Sequence, residues 1–323
     1  MRQLDPEAQA LLDVMAATGS PQPYTLSVEQ AREQMRAALI TRGAPLALPD
    51  VRDLTVPTPH GGLPLRLYRP AQGPLPVALF IHGGGWTLND IDTHDRLARR
   101  IAHRSGWLLA SLEYRRAPEH RHPAALQDAY VTYRWLLDNA ERLEADPTRS
   151  AVVGESSGAS TAAALTLLLR DLGAPSPSLQ VLAYPLTDVP GRWPSHRERA
   201  EGYTLDRRYI EWFMEQYLPP GYTEARALEE RPDPYLFPLG APDLSGLPPA
   251  LVMTAEFDPL RDEGIAYAER LAAAGVVVEH VHAADQMHGF LLLDRAIARA
   301  GELIDQLADA LAAHARGARS LPA

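Results

Sequence analysis

The chain of 323 residues contains no cysteine, which excludes disulfides, thiolate nucleophiles, iron–sulfur clusters and cysteine-bound zinc outright. It contains no lysine either: all 31 basic residues are arginine. A Schiff base with pyridoxal phosphate, a P-loop and a Ser-Lys dyad are therefore out of reach. Long apolar runs are missing as well. The longest, around Thr161 to Leu169, ends at Arg170, well short of the roughly 18 residues that a membrane span needs. Asp5, Glu7 and Asp13 stand where a signal peptide would carry its apolar stretch, so a cytoplasmic location is expected. Positive charge is outnumbered by 41 acidic residues, for a net charge of −10, which repels phosphate backbones and anionic lipid. Neither nucleic acid nor a membrane is an expected partner.

What is present reads as an ordinary globular chain, 46% hydrophobic and 22% charged, long enough for one large α/β domain with an accessory piece. Residues up to about 45 read as two amphipathic helices, with Leu4, Ala8, Leu11, Leu12 and Met15 on one face and Ala31, Met35 and Leu39 on another. Ser27 with Gln30 has the form of a capping box. From Val51 short β-type runs take over, at Leu63 to Tyr68, Val77 to Ile81 and Trp107 to Leu112. Helical stretches then alternate with strands: Asp92 to His103, Pro123 to Asn139 before Ala151 to Val153, and Ser156 to Leu172 before Leu179 to Ala183. This alternation predicts parallel strands with crossover helices. It breaks down between Asp188 and about Pro249, a stretch rich in proline, arginine and aromatics with one predicted helix from Asp206 to Tyr217. It resumes with strand Ala250 to Thr254, a helix to Ala274, strand Val276 to His282 and a closing helix from about Leu291 to Ala313.

Gly154-Glu155-Ser156-Ser157-Gly158 directly follows a predicted strand and opens a helix, the setting of a nucleophile elbow with Ser156 on a strained turn. The motif alone arises by chance in about 0.06 of such chains, so its neighbours decide. His82-Gly83-Gly84-Gly85-Trp86 follows the run Val77 to Ile81. Three successive glycines leave backbone N–H groups unshielded, and two or three converging on one point stabilise a tetrahedral oxyanion. An acid and then a histidine should follow, each just past a strand end. Asp258 and His288 occupy those places. His288 would take the proton of Ser156, and Asp258 would orient the imidazole. Glu256 and Asp262 compete for the acid's role.

These motifs, with Tyr114-Arg115-Arg116-Ala117-Pro118-Glu119-His120, Pro123-Ala124-Ala125, Asp258-Pro259-Leu260-Arg261-Asp262-Glu263-Gly264 and His288-Gly289-Phe290, resemble the hormone-sensitive-lipase-like branch of the α/β-hydrolases, the family IV bacterial esterases. The resemblance covers about residues 50 to 315. It implies an α/β-hydrolase fold: a mostly parallel, eight-stranded central sheet flanked by helices, with a helical cap. Residues 1–48 and 188–248 would be the cap, 49–187 and 249–323 the two parts of the core. Oxyanion donors would be the backbone N–H groups of Gly84, Gly85 and Ser157. The implied activity is hydrolysis of short to medium acyl esters through an acyl-enzyme, with a small-molecule ester as partner, no cofactor and no metal. A homodimer is the assembly left open. Two departures stand out, Glu155 where the family more often has Asp, and Gly158-Ala159 where it has two glycines.

Alternatives remain. Related hydrolases turn the same triad on amides or formamides, and plant gibberellin receptors are retired members of the broad family, without the catalytic histidine that this chain keeps at His288. His120 with His122 and His280 with His282 form H-x-H pairs, but neither has a recognisably spaced third metal ligand. Glu119 and Asp128 are read as hydrogen-bonding to loop backbone, and His82 as bracing the oxyanion loop. Trp86, Tyr203, Tyr209, Trp212 and Phe213 would line an acyl pocket or serve as core. Arg99-Arg100, Arg115-Arg116 and Arg207-Arg208 are read as solvated faces or ion pairs.

Overall fold

The computed structural model describes residues 3–38, 45–222 and 233–317. Eight strands form one sheet: β1 (Asp50–Thr58), β2 (Gly61–Arg69), β3 (Leu75–Ile81), β4 (Leu108–Leu112), β5 (Ala145–Glu155), β6 (Leu179–Ala183), β7 (Ala250–Phe257) and β8 (Val278–Met287). Their spatial order is β1-β2-β4-β3-β5-β6-β7-β8. The predicted parallel arrangement holds from β4 through β8, while β1 pairs antiparallel with β2 and β2 antiparallel with β4.

Nine helices among the described residues complete the chain: α1 (Pro6–Thr18), α2 (Val28–Ala37), α3 (Ile91–Ser105), α4 (Ala124–Asp138), α5 (Ser157–Asp171), α6 (Ser195–Glu198), α7 (Arg207–Tyr217), α8 (Arg261–Ala273) and α9 (Ala298–Ala315). Alternate side chains of each buried strand feed two cores, one per face of the sheet. Val77, Leu79, Ile81 and Val252 join residues of α4, α5 and α8 on one side. Ala78, Phe80, Leu251 and Met253 join residues of α3 and α9 on the other. Arginines of α3 clasp α9 and the turn before it, Arg96 and Arg100 both on Asp294 and Arg104 on Asp309. No described helix is long and apolar enough to cross a membrane.

The Ser27–Gln30 capping box forms at the start of α2, whereas Leu39 lies outside the described residues. From α2, Arg32 donates to the carbonyls of Thr87 (2.9 Å) and Ala117 (2.8 Å) and pairs in two bonds with Glu119. Three expected boundaries need correction, and strand β1, which no predicted run covered, is added. Strand β1 carries no clear apolar alternation because it lies at the sheet edge and is largely open to solvent. Strand β5 starts at Ala145, six residues before the apolar run, and its register shifts against β3 at Pro76/Val77. Strand β8 runs on to Met287. The closing helix starts at Ala298, because Phe290–Leu292 form a short 3-10 turn with Phe290 and Leu291 buried.

Candidate active site

Ser156 joins β5 to α5 at φ 54°, a left-handed conformation rarely adopted outside glycine. Its N–H donates to the Ala183 carbonyl of β6 at 2.9 Å, which holds the turn. The two glycines of the motif are there for space: a Cβ on Gly154 would lie 2.4 Å from the Gly158 carbonyl oxygen, and one on Gly158 would lie 2.0 Å from that of Ile81. The helix therefore starts hard against the sheet, with its N-terminal dipole beside the hydroxyl.

Strand β7 ends at Phe257 and β8 at Met287, so Asp258 and His288 emerge at the same end of the sheet as Ser156. His288 Nε2 lies 2.9 Å from Ser156 Oγ, and His288 Nδ1 lies 2.8 Å from Asp258 Oδ2. Asp258 is fully buried and its other oxygen accepts the Leu260 N–H at 2.8 Å. Burial would lower the His288 pKa, but the charge and hydrogen bond of Asp258, with further contributions from Glu155 and Glu263, raise it above the ordinary value of 6.5. Glu256 is taken up by Arg199, Arg261 and His282, and Asp262 by Arg261 and the Ser195 N–H. Of the three acids, only Asp258 faces the imidazole.

The glycine loop folds over the start of α5. Gly84 (φ 110°) accepts from the Thr87 and Leu88 N–H groups, and the Trp86 N–H donates to Ser157 Oγ at 3.2 Å. The backbone N–H groups of Gly84, Gly85 and Ser157 find no partner among the described residues, and such groups are otherwise nearly always paired. His82 stacks on Tyr114 and binds the Gly83 carbonyl through Nδ1 at 2.8 Å, as a brace of the loop should. Burial drives its pKa down to about 3, so it stays neutral.

A cavity beside Ser156 is lined by Gly85, Trp86, Ser157 and six apolar side chains, Leu186, Leu205, Ile210, Phe213, Met214 and Leu260. Trp86 and Phe213 thus line it as the sequence suggested; Tyr203 packs on Phe257 and Tyr209 stacks on Phe213, and neither lines this cavity. Ile210 and Met214 went unread although they sit with Phe213 at helical spacing on α7, a stripe that signals a buried face. Among the described residues no group of three or more His, Asp or Glu is placed to hold a metal. His280 and His282 both hydrogen-bond Thr254 Oγ1 at 2.9 Å, and His122 meets Tyr217 and Asp233. Asp128 accepts the Arg115 backbone N–H as expected. Glu119 instead pairs with the Arg32 side chain, which holds its pKa down at about 2. Five of the six arginines in these pairs form ion pairs, Arg99 with Asp95, Arg100 with Asp305, Arg115 with Asp128, Arg116 with Glu113 and Arg207 with Glu211.

A family profile described as alpha/beta hydrolase fold matches residues 78–292. The carboxylic ester hydrolase LipN of Mycobacterium tuberculosis is 40% identical over 321 residues, 96% of this chain and 83% of its own. The ethyl acetate hydrolase of Pseudomonas putida is 37% identical, over 96% of this chain and 99% of its own. Among solved structures, an ester hydrolase from the metagenome of Lake Arreo, complexed with a bipyridine phosphonate derivative, superposes with a TM-score of 0.91 at 38% identity, covering 97% of this chain and 99% of its own. An esterase of the archaeon Pyrobaculum calidifontis gives 0.89 at 36%, over 97% of this chain and 99% of its own. Matched along nearly its whole length at such identity, the protein belongs to the α/β-hydrolase family, in its hormone-sensitive-lipase-like branch.

Proposed function

We propose that the chain hydrolyses carboxylic esters of short to medium acyl length, with Ser156, His288 and Asp258 as its triad. Ester hydrolysis is the activity that the names of its relatives carry, and its partner is a small-molecule ester. The observation that supports the triad most is the continuous path from Ser156 Oγ through both imidazole nitrogens to the buried Asp258, with contacts of 2.9 and 2.8 Å.

In this reading His288 Nε2 takes the Ser156 proton as Oγ attacks the ester carbonyl, and Asp258 stabilises the imidazolium. The carbonyl oxygen, now an oxyanion, receives the N–H groups of Gly84, Gly85 and Ser157. Collapse expels the alcohol, protonated by His288, and leaves an acyl-enzyme. Water, deprotonated by the same imidazole, then releases the acid and restores Ser156. Residues 188–248 with 1–48 act as a helical cap on a core of 49–187 and 249–323. The apolar α7 side chains that share the cavity with Ser156 support that division. The test is hydrolysis of p-nitrophenyl esters from acetate to laurate, with Ser156→Ala in parallel. Short-chain turnover lost in the variant is the expected result; turnover kept in the variant moves the nucleophile elsewhere.

A further inference from the structure

We propose that Glu155 is a positioning residue whose one carboxylate ties the nucleophile turn to the oxyanion loop and directs a second negative charge at the imidazole of His288. The proposal rests on the reading of Ser156 as nucleophile. Glu155 ends β5 immediately before Ser156. Its Oε1 accepts the Gly83 N–H at 2.5 Å and bonds His94 Nε2 at 2.9 Å. Gly83 in turn immediately precedes Gly84 and Gly85, so a single oxygen atom links the two backbones whose spacing decides where an oxyanion can sit. A Cβ on Gly83 would fall 2.0 Å from that oxygen, so only glycine lets the loop come this close.

The carboxylate is nearly inaccessible, with 3% of its side chain exposed, and it is held from behind. His94 on α3 bonds Thr93 Oγ1 at 3.0 Å, the Thr93 hydroxyl receives the Asp90 N–H, and Asp90 pairs with Arg36 of α2. Titratable groups reach Glu155 from every side: His94 from α3, with His82 beside it, Tyr114 beyond β4, Tyr184 beyond β6 and His288 beyond β8. The groups facing His288 are Asp258, Glu155, Glu263 and the Tyr184 ring. Burial alone would raise the Glu155 carboxyl. His94, His288 and the Gly83 N–H outweigh burial and keep it below the ordinary range.

The placement resolves a conflict. A negative charge behind an oxyanion loop favours the imidazolium that forms in the transition state but opposes the oxyanion. Here both hydrogen-bond donors sit on the oxygen nearest the loop and draw off charge there. The imidazole keeps the benefit, and Gly83 is fixed.

Glu155→Gln separates the two effects, since the amide oxygen can still accept the Gly83 N–H while the charge is gone. Its acid limb in kcat/KM should move to lower pH, with kcat reduced by about tenfold or less. Glu155→Ala removes the link as well, and its kcat should fall on the order of 10²-fold at nearly constant KM, the scale of losing one oxyanion donor. An acid limb that stays in place in Glu155→Gln overturns the proposal, as does wild-type kcat in Glu155→Ala. If Glu155→Ala does not fold, Glu155→Gln decides alone. Ser156→Ala runs alongside: activity surviving there removes the underlying reading, a failure distinct from an unmoved pH profile with an inactive Ser156→Ala.

Discussion

The turns that carry Ser156, Asp258 and His288 and the α7 segment that faces them are built on different principles. The turns are fixed through backbone: Ser156 hangs from Ala183, Asp258 holds the Leu260 N–H, and the His288 carbonyl accepts the Thr204 hydroxyl at 2.6 Å. Gly154 and Gly158 on either side of Ser156 have no room for a side chain. Among the described residues, the hydrogen bonds that tie helix α7 to its surroundings lie at its ends, among them the Asp206 cap with its bond from Tyr24, the His122 N–H on the Tyr217 carbonyl, and Arg121 on the carbonyls of Glu215 and Leu218. Between them Ile210, Phe213 and Met214 present hydrocarbon and ring to the cavity. Chemistry is thus held by directional contacts that tolerate no displacement, and substrate shape by non-directional packing that side chains can rearrange.

The sharpest break of this contrast lies among the acids. Asp258→Asn should lower kcat on the order of 10⁴-fold, as loss of the orienting carboxylate does in such triads, whereas Asp262→Asn should cost less than tenfold; steady-state kinetics on p-nitrophenyl acetate decide. Equal losses would mean that the buried contact at 2.8 Å is not what orients His288.

That choice also marks how far the sequence could be read. Ser156 and the glycine loop were legible because a strand–turn–helix signal is local. Asp258 stood apart from Glu256 and Asp262 by its place just past the predicted end of β7 and by the family run it opens, yet the ladder to β8 shifts register between Ala255 and Phe257, which no periodicity reveals. The extension of β8 to Met287 rides on that shift. Edge strand β1 was missed because a half-solvated strand shows little apolar alternation. The stripe Ile210, Phe213, Met214 was readable as a buried face, but what it buries against depends on a fold contact far along the chain.

Next in size is Gly158→Ala. The new methyl would meet the Ile81 carbonyl at 2.0 Å, and backbone in the centre of a sheet cannot step aside, so the start of α5 must. Overpacking of this kind costs about 1–3 kcal/mol, read as a lowered Tm together with at least a tenfold loss of kcat; unchanged values of both would show that the elbow has slack.

The pH dependence is smaller in amplitude but definite in sign. His288 acts as base only when neutral, and its pKa is raised by Asp258. Activity should therefore fall as pH drops, with the acid midpoint of kcat/KM above the ordinary 6.5. A midpoint below 6.5 would contradict the contact with Asp258.

Smallest is Met214→Ala on the tolerant side of the contrast. It should change the ratio of kcat/KM for octanoate over acetate by about tenfold in favour of the longer chain, the worth of a methylene or two in an apolar pocket, with kcat on acetate within a few fold. A collapse of activity on every ester would instead make α7 part of the rigid machinery.

Arg32 gives the lysine-free composition a local meaning. Its guanidinium satisfies two carbonyls, those of Thr87 and Ala117, while gripping both oxygens of Glu119. Four acceptors in different directions suit a planar fork of five donors and not a single ammonium point. A wholesale exchange of arginine for lysine, harmless at most exposed positions, would here leave a main-chain oxygen next to the glycine loop unserved. The residue could then be conserved in charge and still lost in function.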